Sequence, residues 1–367
     1  MNKNVRILAF YLPQYHPIPE NNEWWGKGFT EWTNVANARP LYKGHYQPRI
    51  PADLGFYDLR VPETRQAQAD MAREYGVEGF VYWHYWFGGK RILETPFNEV
   101  LASGKPDYPF CLAWANESWS GIWHGLSEKI LIKQEYPGEE DYIKHFNVVL
   151  DAFKDPRYIR VENKPLFYIY RPNQIPNSIG FIKLWNSLAR ENGFDGIYFI
   201  TPTNFPEKES EELFKSGYNG IHSFRFAESF SKMKNHTLTQ RIIRKIERTF
   251  KINKKLYFNI YDYQEFIKNL VTEGDRNNIY YPTIYPSWDN SPRSGQKALI
   301  MENSTPEVFR SHVRAVVNIV QQKPYENRII FLKSWNEWAE GNYMEPDLKF
   351  GLKYLEALKS EVDILDI

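Results

Sequence analysis

The chain carries 367 residues, 42% hydrophobic and 25% charged, with 46 basic side chains against 45 acidic ones and a net charge of +1. Such a composition builds a globular core of good size, and the balanced charge excludes a general attraction to nucleic acid or anionic membranes. Cys111 is the only cysteine, so a disulfide framework within the chain is excluded as well.

Taken in chain order, the first apolar run is VRILAFY (5–11). Residues 12–62 follow without clear periodicity, rich in Pro, Gly and Trp, and a long irregular connection of this kind is usually functional. ETRQAQADMAREYG (63–76) then repeats Ala67, Met71 and Tyr75 at helical spacing, with Gly76 as a stop. The sequence of apolar run and helix recurs. GFVYWHY (79–85) precedes the weaker helix 94–104, FCLAWAN (110–116) precedes 140–153, LFYIYRP (166–172) precedes 179–193, and GIYFITPT (196–203) precedes 207–217. GIHSF (220–224), IYYPTIYP (279–286) and RIIFLKSW (328–335) complete the strands, with helices expected over 263–274, 306–322 and 352–361. Continuous apolar runs, rather than strict alternation, mark strands covered on both faces. Eight such units predict an α/β fold, a single (β/α)8 TIM barrel over residues 1–367 with a long first βα loop. A doubly wound sheet would need a glycine-rich phosphate turn after its first strand, where this chain reads LPQYHPIPE.

A barrel gathers the C-terminal ends of its strands at one mouth. Those positions hold Tyr11, Gln14 and His16, then His84, Tyr85 and Trp86, then Asn116, Glu117 and Trp119. Arg171, Thr201 and Asn204 come next, followed by His222 and Arg225, by Trp288, Asp289 and Asn290, and by Asn336, Glu337 and Glu340. Aromatic faces, amides and acids alternating around one rim suit sugars, whose rings offer apolar C–H faces and hydroxyl edges. Any one of these side chains is as readily a core plug or a loop brace. Their recurrence at all eight strand ends points to a carbohydrate groove, and 17% aromatic content agrees with that reading.

The sharpest feature is SWNEWAEGNYMEPD (334–347), which sets four carboxylates among Trp335, Trp338 and Tyr343 directly after a core strand. Glycoside cleavage usually needs one protonated and one ionised carboxyl group, and close acids in an aromatic setting push each other's pKa values apart. Glu337 and Glu340, three residues apart, meet that need if the backbone is helical between them. Glu345 and Asp347 read as loop or helix-start acids, structural rather than catalytic. There is no HExxH, clustered Cys/His set, GxxxxGK(S/T) or GxSxG, so neither a metal nor a cofactor is expected. One stretch departs from neutrality: 231–255 holds nine Lys/Arg against Glu247, with Ile242, Ile243, Ile246 and Phe250 on one helical face. A basic amphipathic helix suits peripheral contact with the inner membrane or a lipid-linked glycan; more often it is a barrel helix with a solvated face.

The segments AFYLPQYHPIPENNEWWGKGFTEWTNV, GFVYWHYWFGGKRILE, CLAWANESWS, PSWDNSPR and SWNEWAEGNYMEPD together resemble the WbsX-like proteins of bacterial surface-polysaccharide gene clusters. Those proteins are labelled glycosyltransferases and are related to glycoside hydrolase family 99, the endo-α-mannosidase group of (β/α)8 barrels. The resemblance runs from about residue 5 to about residue 357. It implies that Glu340 is the general acid/base and that Glu337 deprotonates the sugar's own 2-hydroxyl, with Ala339 standing where the mannosidases carry His. It also assigns Trp24, Trp25 and, from FTEW (29–32), Glu31 and Trp32 to the glycan groove. The expected function is a retaining glycosidase or transglycosylase of O-antigen or capsule metabolism acting on an oligo- or polysaccharide. A glycosyltransferase using an activated donor, its diphosphate held by Arg171, Arg225 and Arg293, and an inactive glycan-binding barrel are the alternatives. With no recognisable signal peptide in MNKNVRILAFYLPQYHP, a cytoplasmic setting is expected.

Overall fold

The computed structural model describes residues 4–120, 130–233 and 258–363. Its eight principal strands are β1 (Arg6–Tyr11), β2 (Val77–His84), β3 (Phe110–Trp114) and β4 (Lys164–Ile169), then β5 (Tyr198–Thr203), β6 (Gly220–Ser223), β7 (Tyr280–Ile284) and β8 (Ile329–Leu332). Each pairs in parallel with its neighbour in sequence, and β8 pairs back onto β1 with Ile7 opposite Ile330, so the sheet closes as a (β/α)8 barrel. The helices between them are α1 (Pro62–Glu74), α2 (Thr95–Ser103), α3 (Glu139–Lys154), α4 (Ser178–Glu191), α5 (Pro206–Lys215), α6 (Phe226–Met233), α7 (Pro306–Val320) and α8 (Lys353–Val362). Proline in the first turn starts α1, α5 and α7, where its missing N–H is not needed.

The strands are buried almost throughout, with helices outside and packed side chains inside. Toward the C-terminal end the interior is closed by rings. Phe10 stacks on Trp83 at 4.9 Å and on Phe331 at 5.5 Å, and Tyr168 donates or accepts a 2.8 Å hydrogen bond with His222. Strand period two explains which residues take part: Phe10 and Trp83 point inward, whereas Tyr11 and His84, one step along, point to the helices.

Two expectations need correction. Residues 12–62 are not wholly irregular: a helix Pro19–Trp25 and a second one, Glu31–Asn37, form within them, the latter started by a reciprocal cap between Thr30 and Thr33. The helix expected over 263–274 stops at Ile267, and a 3-10 turn, Glu273–Arg276, starts afresh from a capping box of Thr272 and Asp275. The basic segment 231–255 lies, beyond Met233, outside the described residues. Among the described residues no helix is long and apolar enough to cross a membrane.

Candidate active site

The end of β8 builds the site. Past Leu332 the chain keeps bonding to its neighbours, Lys333 N to Ile284 O at 3.1 Å and Trp335 N to Phe10 O at 2.7 Å. Asn336 then clamps the end of β1, its side chain accepting from Leu12 N at 2.7 Å and donating to Leu12 O at 3.0 Å. Asn336–Glu337 pairs antiparallel with Asn342–Tyr343, and the link between them is one 3-10 turn, Trp338–Glu340. A turn of three residues sets Glu337 and Glu340 side by side. Gly341 closes the turn at φ +64°, and a Cβ there would lie 2.8 Å from Asp289 N, so both conformation and space require glycine.

Both carboxyl groups sit at the foot of a cavity of about 360 Å³. Lys333 Nζ donates to Glu337 Oε1 at 2.8 Å and lies 3.8 Å from Glu340 Oε2. Trp83 Nε1 donates to the same Glu337 oxygen at 3.2 Å. Arg293 spans two acids, donating to Glu340 Oε1 at 2.6 Å and to Glu31 Oε1 at 2.7 Å, while Asn342 donates to Glu340 Oε2 at 3.2 Å. The pair shares a hydrogen bond as well, with protonated Glu340 donating to ionised Glu337.

The two acids titrate apart. Burial pushes Glu337 upward, but Lys333, the bond from Glu340 and Arg293 outweigh it and hold the group well below the usual carboxylate range. Glu340 is pushed well above that range, first by burial and then by the charge on Glu337. Arg293 divides its charge between Glu31 and Glu340, so it does not undo the rise. The arrangement supplies one proton donor and one proton acceptor side by side.

Of the residues singled out in the sequence, Trp25, Glu31, Tyr85, Glu117 and Trp119 line the cavity with Trp288 and the glutamate pair, and Gln14 joins them. Trp24 stands edge-on to Trp119 with ring centres 6.0 Å apart, behind the lining. The others lie away from it. Tyr11 donates to Gln68 at 2.6 Å, His16 meets Pro13 O at 3.0 Å, and Trp32 donates to Tyr57 O at 2.8 Å. His84 faces His145 on α3 at 2.8 Å, where burial holds both rings neutral, and Trp86 donates to Asp141 at 3.0 Å. Asn116 braces the backbone of Arg171, Asn204 accepts from Ala227 N at the start of α6, and Asp289 is enclosed by His45 and Gln47. Trp335 and Trp338 are buried, the latter stacked on Tyr343 with ring centres 3.8 Å apart. His222 belongs to the closed interior, whereas Thr201 is buried on the other face of its strand, the face on which Phe199 meets Trp185 of α4.

The cations suggested for a diphosphate are already engaged. Arg171 bonds Glu117 at 2.8 Å, and buried Arg225 bonds Glu207 at 2.6 Å and Glu228 at 2.9 Å. The sequence reading missed Lys333 and Trp83, the two cavity residues that donate to Glu337, and wall residues such as Tyr170, Phe224 and Phe226; for Lys333, a lysine closing a core strand four residues before an acid was the available signal. Among the described residues no group of three or more His, Cys, Asp or Glu is arranged to hold a metal.

A (β/α)8 barrel with paired acids at its mouth places the protein in the glycoside-hydrolase-like class of folds. Solved structures agree: a glycoside hydrolase-like protein superposes with a TM-score of 0.57 at 16% identity, covering 98% of this chain and 94% of that one. The GH99 endo-alpha-mannosidase from Bacteroides thetaiotaomicron superposes with a TM-score of 0.56 at 17% identity, covering 98% and 96%. The chain belongs to the family described as glycosyltransferase WbsX, whose model matches residues 7–358. Two curated relatives, both an uncharacterized protein WxcX from Xanthomonas campestris pv. campestris (strains B100 and ATCC 33913), are 36% identical over 356 residues, 96% of this chain and 49% of theirs. The chain thus spans about half the length of the curated relatives it matches.

Proposed function

We propose that the protein is a carbohydrate-active enzyme of bacterial surface-polysaccharide metabolism, O-antigen or capsule, that cleaves or transfers α-glycosidic linkages with retention through Glu337 and Glu340. The observation that carries this reading is geometric: one 3-10 turn sets Glu337 and Glu340 side by side at the foot of an aromatic cavity, with Lys333 and Trp83 donating to the first and Arg293 to the second. The glutamate pair of the endo-α-mannosidase group, in the same Glu-Trp-x-Glu spacing, supports it.

In this mechanism protonated Glu340 gives its proton to the departing glycosidic oxygen as the C1–O bond breaks. Ionised Glu337 takes the proton of the 2-hydroxyl, whose oxygen closes on C1 to form a 1,2-anhydro sugar. Water or an acceptor hydroxyl then opens that ring at C1, Glu340 receives the incoming proton, and Glu337 returns its proton to O2. Two inversions at C1 give net retention. Lys333 and Trp83, both donating to Glu337, keep it ionised and aimed.

Transfer from a sugar nucleotide is the second reading, favoured by the family's description. Against it, Arg171, Arg225 and Arg293 are each neutralised by carboxylates, which leaves a diphosphate without a ready cradle among the described residues. A cytoplasmic setting and membrane contact through 231–255 belong to the same proposal. The deciding experiment presents the protein with defined α-linked oligosaccharides and with sugar nucleotides, and follows both by NMR. Consumption of an oligosaccharide with retained anomeric configuration is expected. Consumption of sugar nucleotides alone would establish the transferase instead, and binding without consumption would leave a glycan-binding barrel.

A further inference from the structure

A second cavity, of about 510 Å³, lies behind the turn that carries Glu340. Its walls come from the first βα connection, from the loop after β7 and from the segment after the glutamate turn, and it shares no lining residue with the active-site cavity. Small-ligand pockets run to roughly 300–1,000 Å³, so the space suits a mono- or disaccharide.

The acids around it are spent on the protein's own donors. Asp289 accepts from His45 Nε2 at 2.8 Å, Gln47 Nε2 at 2.7 Å and Ser291 N at 3.0 Å. Asp347 accepts from Tyr343 OH at 2.7 Å and from the backbone of Lys349 and Phe350. Glu345 accepts from Tyr57, Gln68 and Trp338, and Glu302 is bonded to Tyr42.

The cations are not spent in the same way. Lys349 Nζ rests on two rings, 4.5 Å from the centre of Tyr46 and 4.7 Å from that of Phe350, and forms no ion pair among the described residues. Arg49 approaches the same Tyr46 ring at 5.8 Å, and its buried Nε has no hydrogen-bond partner among the described residues. The other end of its guanidinium bonds Ser287 Oγ at 3.0 Å and Gly341 O at 2.9 Å, and stands 3.8 Å from Asp289. Two like charges are therefore held around one aromatic ring with donor capacity left over. Phe350 continues the surface edge-on to Tyr354 at 5.3 Å, so apolar faces adjoin the charged corner.

We propose that this cavity binds an acidic sugar, its carboxylate or phosphate taken by Arg49 and Lys349 and its ring laid on the aromatic surface of Tyr46, Phe350 and Tyr354. Like-charge repulsion from Arg49 adds to burial in lowering the pKa of Lys349, and a bound anion relieves that repulsion. The site is independent of whether the glutamate pair hydrolyses or transfers.

Calorimetric titration of the full chain with glucuronic acid, glucose 1-phosphate, glucose and inorganic phosphate tests this. The two acidic sugars, or one of them, should bind about tenfold or more tightly than glucose, which lacks the charge, and than phosphate, which lacks the ring. Binding of only one acidic sugar supports the site and names its anion. Lys349→Met, a change at an exposed side chain that leaves the core untouched, should weaken the acidic sugar about tenfold. Lys333→Met, in the other cavity, should not. Glucose or phosphate binding as tightly as the acidic sugars, affinity unchanged in Lys349→Met, or no binding by any probe would each overturn the proposal.

Discussion

Within residues 334–347 two pairs of carboxyl groups are held by different means. Glu337 and Glu340 are held chiefly by cations, Lys333 and Arg293, and by each other, and they face a cavity. Glu345 and Asp347 are held by neutral donors: Tyr57, Gln68 and Trp338 around the first, Tyr343 and two backbone N–H groups around the second. A raised pKa does not separate the pairs, because burial pushes Glu345 up to about 7 even against its three donors. Partners separate them. Glu340 faces the active-site cavity beside an ionised carboxylate, whereas Glu345, on the wall of the second cavity, has its oxygens taken by Tyr57, Gln68 and Trp338 of the scaffold around the glutamate turn. A perturbed acid is a catalytic candidate only when geometry lets a substrate reach it.

The contrast is broken most severely by exchanging each acid for its amide. Glu337→Gln should cut turnover of an α-linked oligosaccharide by about 10³-fold, and Glu345→Gln by less than about tenfold, both at unchanged fold by circular dichroism. Equal losses would erase the distinction. Next in size is Lys333→Met. With its main cation gone, the pKa of Glu337 rises, so the acid limb of the pH–rate profile should move up by about one pH unit or more, with the alkaline limb less affected.

Glu345 sharpens the comparison through stability. Its folded pKa of about 7 stands above the ordinary 4.5, so between those values the folded state keeps a proton that the unfolded chain releases. Stability contributed by that proton falls as pH rises through the window, and Glu345→Gln should flatten the dependence by about 1–3 kcal/mol, read from denaturant melts across it. The smallest effect belongs to the wall. Trp119→Ala should raise KM about fivefold with little change in kcat, the loss of roughly 1 kcal/mol of stacking.

Much of this was legible in the sequence. Eight continuous apolar runs became the eight barrel strands with ends shifted by at most three residues, and the spacing of Glu337 and Glu340 foretold a turn that sets them together. The wall was read less well, for a reason of parity. Side chains alternate across a strand, so choosing His84 in place of Trp83, or Tyr11 in place of Phe10, moves the choice from the barrel interior to the helix layer. A run that is apolar on both faces gives no clue to which face is which. Asn336 looked like a sugar ligand because it adjoins the glutamates, but its amide is consumed in tying β8 to β1. Glu31 shows the reverse case: nothing periodic announced the short helix that delivers it, and family resemblance alone brought it to the site where Arg293 joins it to Glu340.

The central claim is that Glu340 is the proton donor of an acetal exchange. Its most direct test is kcat/KM of Glu340→Gln against the unaltered protein on one α-linked oligosaccharide that the protein consumes, with ligand binding followed in parallel. A loss of about 10³-fold at unchanged affinity and unchanged melting temperature is predicted. Undiminished turnover in that variant would contradict it.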